Sequence, residues 1–184
     1  MTPMSKWTLV LAYQDCILFE VIPAAQRLEP VFAVRVATPD GHSFRDDSGV
    51  TISPDCAYQE VNPDDCACVL VPGGNPDRIA SNPDVRRIVR GVRDRGGIVA
   101  GICAGVAVLG LAGVLAGRRI AHNYTEGDVP AEVRVHTDPL WRDTTYAKAG
   151  ISVDARVITA RPERYAEFAS AVVEAVSNAF GPTP

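Results

Sequence analysis

The stretch GGIVAGICAGVAVLG, residues 96 to 110, places Cys103 between Gly101 and Gly105, where an apolar strand gives way to an apolar helix. G-x-nucleophile-x-G is the spacing of a strand-to-helix elbow, whose flanking glycines permit a strained turn and close packing of the two elements. A thiol held there faces the unpaired N–H groups and positive dipole end of the helix, which favour the thiolate and lower its pKa. A second glycine-rich turn, VPGG at residues 71 to 74, ends a neighbouring strand. The backbone N–H groups of Ala104 and Gly74 then make a two-donor hole for an oxyanion developing on a substrate. The competing reading is a small buried cysteine that packs as a hydrophobe, with glycines serving only helix–sheet contact. Two glycine turns at the carboxyl ends of neighbouring strands, where open α/β sheets gather ligands, favour chemistry.

Other reactive residue types carry less. Cys66 and Cys68 form C-x-C, but no second ligand pair is spaced to complete a soft-metal site. Period-two alternation places both on one face of a strand, so they read as packing residues and no metal is expected. Arg86, Arg87, Arg90, Arg93 and Arg95 read as the solvated face of an amphipathic helix. His42 and His136 fall in a turn-rich segment and a polar strand and are assigned no chemistry.

The elements that must position Cys103 follow from periodicity. KWTLVLAY (6 to 13), PVFAVRVAT (30 to 38), CACVLVPGG (66 to 74) and GIVAGIC (97 to 103) read as buried strands, apolar on both faces as in a covered parallel sheet. Residues 15 to 28 have helical spacing, with Pro23 implying a kink or a late start. Residues 39 to 55 carry turn signals around a weak alternation, which suggests a small hairpin. Asn82-Pro83 opens an amphipathic helix that turns Val85, Ile88, Val89 and Val92 inward and closes at Gly96. A helix is expected over 104 to 117, then strands over 118 to 123 and 132 to 138, a strand pair at 146 to 150 and 155 to 160, and a closing helix from Pro162 to about Phe180. This alternation implies one α/β domain spanning residues 1 to 184, with a mostly parallel sheet between helices.

Composition excludes several classes. The chain has 184 residues, with 18 basic against 22 acidic side chains and a net charge of -4. That balance argues against nucleic acid or an anionic membrane as the main partner. Residues 98 to 117 contain no charge, but five glycines interrupt the run and arginines flank both ends. A buried strand followed by a buried helix gives the same hydropathy as a membrane span, and is preferred. Five scattered cysteines and an N-terminus without a signal-peptide core imply a reduced cytoplasmic setting.

CVLVPGGN, GGIVAGICAG, GRRIAHN and VITARP followed by EFA, in that order, together with EVIPAAQRL and GVTISPD, resemble the ThiJ/PfpI superfamily, related to class I glutamine amidotransferases. The resemblance covers nearly the whole chain and implies a flavodoxin-like three-layer sandwich. It implies a carboxylic acid beside the elbow cysteine, for which Glu20 is the matching position. The family spacing of four residues before the proline falls on Phe19, whereas Glu20 precedes Pro23 by three, so Asp15 stands as an alternative. A solvated first-turn glutamate is the competing reading of Glu20. The family histidine falls at Asn123, with His122 one residue before it, so His122 is a candidate third group. Alanine after the nucleophile, where peptidase-like members have histidine, weakens a peptidase reading. The expected activity is that of a cofactor-independent hydrolase or lyase using Cys103 on a small electrophile. Glyoxalase- or deglycase-like carbonyl chemistry ranks first and isonitrile hydration second. The alternative is a redox-responsive or chaperone-like protein using the same cysteine. The resemblance also implies a homodimer.

Overall fold

The computed structural model of the chain describes residues 6–181. Its central sheet has seven strands: β1 Trp7–Leu11, β2 Val34–Thr38, β3 Cys56–Ala57, β4 Cys66–Val71, β5 Ile98–Ile102, β6 Ile151–Asp154 and β7 Val157–Ala160. The order is β6-β7-β5-β4-β1-β2-β3, and all neighbours are parallel except the β6/β7 hairpin. Every residue of β4 and β5 is buried, as expected of parallel strands covered on both faces. Helices α1 Ile22–Leu28 and α5 Tyr165–Phe180 cover one face, and α2 Pro83–Asp94 and α3 Gly105–Leu111 cover the other. The helix α4 Ala131–Trp141 packs against α3. The result is the three-layer α/β sandwich, and the chain turns from β1 outward in both directions. That reversal opens a crevice at the carboxyl ends of β1 and β4.

Local signals account for most boundaries. Pro23 sits in the first turn of α1, so the helix starts late; Cys16–Ile17 and a 3-10 turn, Leu18–Glu20, precede it. The Asn82 side chain accepts the Asp84 N–H at 2.9 Å and caps α2. Residues 44–45 and 51–52 form the small hairpin.

Three expectations are corrected. Residues 132 to 138 are not a strand but lie in α4. The alternating Val133 and Val135, which suggested a strand face, are 37% and 69% exposed, so their alternation reports no buried surface. The helix expected over 104 to 117 runs from Gly105 only to Leu111. Gly113 adopts φ +73, its N–H bonds the Gly110 carbonyl, and the Val114 N–H bonds the Leu109 carbonyl, which is a Schellman termination. Finally, β7 pairs with residues 151–154, while Thr145–Tyr146 pairs with Arg119–Ile120, the only part of 118 to 123 that is a strand. The arginine face of α2 is also more engaged than a purely solvated face. Arg87 donates to the Val61 and Tyr58 carbonyls at 2.7 and 2.9 Å, and Arg90 donates to the Ala112 carbonyl at the end of α3.

Candidate active site

Three strand ends build the site: Tyr13 follows β1, Gly73 follows β4 and Cys103 follows β5. Cys103 adopts φ +55, the left-handed region that side chains rarely occupy, and its N–H is anchored to the Ala160 carbonyl at 2.9 Å. The two flanking glycines are sterically required. A Cβ on Gly105 would run into the carbonyls of Val71 and Pro72, and one on Gly101 would stand 2.9 Å from the Gly105 carbonyl and the Leu109 side chain. The elbow is therefore pinned between β4 and α3. It holds the thiol in a strained conformation that the surrounding packing maintains.

Glu20 reaches this thiol. Its side chain is 1% exposed, which overturns the solvated first-turn reading. Oε2 accepts the Gly73 N–H at 2.8 Å, and the carboxyl hydrogen-bonds the Cys103 thiol. The 3-10 turn at Leu18–Glu20 absorbs the displacement relative to Pro23: Phe19 points outward, 59% exposed, and Glu20 points in. Asp15 instead pairs with Arg78 at 3.0 Å, and both side chains are about half exposed.

Burial pushes the Glu20 carboxyl up to about 6, against the lowering effect of the Gly73 N–H. Burial and the Glu20 charge push the Cys103 thiol up to about 11, against the Ala104 N–H and the Asn123 amide, which favour the thiolate. This corrects the expected acidic thiol. Helix α3 is short, and its end is outweighed by desolvation and a carboxylate in contact. Between these two values the pair carries one proton and one negative charge shared across the Glu20–Cys103 hydrogen bond.

The segment after residue 120 brings Asn123, whose Nδ2 lies 3.6 Å from Cys103 Sγ. His122 is held elsewhere. Its ring stacks on Trp141 at 4.4 Å between centroids, meets Tyr146 edge-on, and accepts the Tyr124 N–H on Nδ1 at 3.1 Å. Burial drives its pKa down to about 4, so it is neutral at physiological pH. Arg161 clamps this segment: it pairs with Asp128 at 2.6 and 2.9 Å and donates to the His122 carbonyl at 3.3 Å.

Ala104 directs its N–H at the Cys103 sulfur. Gly74, at φ +113, forms a two-residue antiparallel pair with Cys16, and a Cβ there would strike the Asp15 carbonyl rather than the reaction space. The glycine that touches both Glu20 and Cys103 is Gly73, which sequence reasoning passed over. A Cβ on it would lie 2.6 Å from Glu20 Oε2 and 2.9 Å from Cys103 Sγ. Tyr13 was also passed over. Its buried hydroxyl donates to the Pro72 and Gly73 carbonyls at 3.0 and 2.8 Å, fixing that turn. The tyrosine closing the first apolar run and the doubled glycine were the available signals. Cys66 and Cys68 are buried in β4, and no group of metal-ligating side chains occurs among the described residues. No helix among them is long and apolar enough to cross a membrane.

The sequence and the fold resemble those of known proteins. Over 72 residues, 39% of this chain, the sequence is 42% identical to a deglycase of Pyrococcus abyssi; the match spans 43% of that protein's length. The fold superimposes on a DJ-1 superfamily protein from Agrobacterium tumefaciens with a TM-score of 0.77 at 26% identity, covering 96% of this chain and 92% of that one. Drosophila melanogaster DJ-1beta gives a TM-score of 0.77 at 26% identity, covering 97% and 92%. The model of the DJ-1/PfpI family matches residues 6–175, and on that span the chain belongs to the DJ-1/PfpI family.

Proposed function

We propose that the protein is a cysteine-dependent, cofactor-independent enzyme with deglycase- or glyoxalase-like activity on small carbonyl compounds and their adducts. The observation that carries this reading is the Cys103 elbow itself. One sulfur at φ +55 is contacted by an acid, a backbone N–H and a side-chain amide. The resemblance to a deglycase of Pyrococcus abyssi over part of the chain supports the same chemistry.

On a 2-oxoaldehyde, the sulfur forms a bond to the aldehyde carbon while the carbonyl π pair moves to oxygen. The thiol proton, taken up by Glu20, is delivered to that oxygen, giving a hemithioacetal. The Ala104 N–H at the head of the elbow steadies the oxyanion as it forms. Moving the proton from the hemithioacetal carbon to its neighbour through an enediol gives a thioester, and water then releases a 2-hydroxy acid and the thiol. On an amine adduct the C–S bond forms as the C–N bond breaks, and the thiol proton leaves on the amine. Asn123 orients the sulfur. His122, buried and neutral, maintains the aromatic wall of the segment that carries Asn123. An isonitrile would give a thioimidate by the same addition.

The test is turnover of methylglyoxal, its adduct with Nα-acetyl-lysine, and an aryl isonitrile by the native protein and by Cys103→Ser. Carbonyl loss that depends on Cys103 supports the reading, and turnover of the isonitrile alone redirects it. No turnover of any compound, with Cys103 oxidising to a sulfinic acid, favours the redox-responsive alternative. A cytoplasmic setting and a homodimer complete the proposal, and sedimentation of the purified protein tests the second.

A further inference from the structure

A separate cavity of about 230 Å³ opens at the carboxyl ends of β1 and β2. In the sheet order, β1 separates it from β4 and β5, the strands that lead to Gly73 and Cys103. Buried Tyr13 closes its inner end, and its rim is formed by the loop after β2 and by Arg78. The chain itself fixes these walls. Asp40 Oδ1 accepts the His42 N–H at 3.0 Å, and Thr38 Oγ1 donates to the His42 carbonyl at 3.2 Å, so the loop is held in one shape. Arg78 is held by its bond to Asp15 Oδ2 at 3.0 Å.

The charges in these walls are already compensated. Asp15 pairs with Arg78, and the His42 ring lies 3.4 Å from the Asp40 carboxylate. What remains is mostly uncharged hydrogen-bonding capacity. The Gln14 amide and the Ser43 hydroxyl line the cavity without a hydrogen-bond partner among the described residues, and Arg78 has N–H groups left over. Pro39 and the half-buried Phe44 add an apolar patch. An anion entering here meets Asp15 and Asp40, and a cation meets Arg78, so neither sign of charge is favoured. A neutral molecule with several hydroxyls, each both donor and acceptor, and one C–H face matches the mixture. The cavity is smaller than the roughly 300 Å³ at which sites for drug-sized ligands begin. It therefore suits one ring.

We propose that this cavity binds a single polyhydroxylated ring, a monosaccharide or cyclitol, through Gln14, Asp40, Ser43 and Arg78, with the C–H face of the ring against Phe44. The site is distinct from the reacting groups and does not depend on the carbonyl reading of Cys103.

The test is a backbone-amide chemical-shift titration of the native protein with methyl α-D-glucopyranoside and with myo-inositol, neither of which carries an aldehyde. At least one of them should give saturable shifts at Gln14, residues 38–44 and Arg78 and leave α4 unmoved, with an affinity that salt does not change. Gln14→Ala/Ser43→Ala, which alters two exposed side chains, should weaken binding by about fivefold or more through the lost hydrogen bonds. Trehalose, which presents the same kind of ring within a longer saccharide, should bind no more tightly than the single ring. Absence of saturation with both ring compounds, equal affinity for cyclohexanol, or native affinity in the double variant overturns the proposal. Preferential binding of lactate or alanine at the same residues overturns the assignment to a neutral ligand, and tighter binding of trehalose overturns the assignment to one ring.

Discussion

Glu20 Oε2 and the Gly73 N–H are 2.8 Å apart, and the Cys103 sulfur stands against the same face of that glycine, where a Cβ would strike both side chains. The Glu20 carboxyl and the Cys103 thiol therefore meet because residue 73 has no side chain. Gly73→Ala should cost about 1–3 kcal/mol of stability through overpacking and should abolish Cys103-dependent turnover. Gly127, whose Cβ would meet nothing within 4 Å, is the control. Gly127→Ala should stay within about 0.5 kcal/mol, as read by urea denaturation beside the activity assay.

Replacing Glu20 should separate reactivity from turnover. The Glu20 charge raises the Cys103 thiol, so Glu20→Gln lowers it, and Cys103 alkylation by iodoacetamide at pH 8 should accelerate. Turnover should nevertheless fall by about 10²-fold or more, because the amide cannot take up and return the proton. Slower alkylation together with unchanged turnover would remove Glu20 from the mechanism.

The same substitution has a stability signature. Glu20 is raised in the folded chain from 4.5 to about 6, so its contribution is complete below pH 4.5 and is lost as pH rises through 6. Glu20→Gln, which keeps an acceptor for Gly73, should be more stable than the native protein by about 2 kcal/mol above pH 7. The gap should close below pH 4.5. Thermal melts across pH 4 to 8 measure it.

Asn123 and His122 should respond differently. Asn123→Ala removes a donor to the sulfur and should slow Cys103 alkylation several-fold, whereas His122→Phe preserves the stacking on Trp141 and should leave that rate within about twofold. Peptide mapping by mass spectrometry resolves Cys103 from Cys56, which is also partly accessible.

The Arg161–Asp128 pair should support the segment that carries both residues. Arg161 holds the Asp128 carboxyl well below the usual carboxylate range. The contribution is present above the ordinary aspartate pKa near 4 and is lost as pH falls below it. Asp128→Asn should therefore lose about 1.5–3 kcal/mol at pH 7, and the difference should shrink in acid.

Where sequence reasoning succeeded, the pattern had a direct physical cause. The apolar runs at 66–71 and 98–102 are strands buried on both faces, and the glycines around Cys103 are fixed by contacts with neighbouring backbone. Where it failed, the deciding contact was remote in sequence. The Gly73 N–H is taken by an acid 53 residues away, and the thiol's acidity is set by burial and that acid rather than by the adjacent helix. The strand expected at 132 to 138 came from valines that face solvent. The 3-10 turn that brings Glu20 inward has no signature in residue type, and only its buried partners identify it.

Direct observation of the covalent adduct tests the central claim. When methylglyoxal labelled with 13C at the aldehyde carbon is added to the protein, one hemithioacetal resonance per chain should appear, shift in Glu20→Gln and be absent from Cys103→Ser. A resonance of equal intensity in the Cys103→Ser protein would contradict the account.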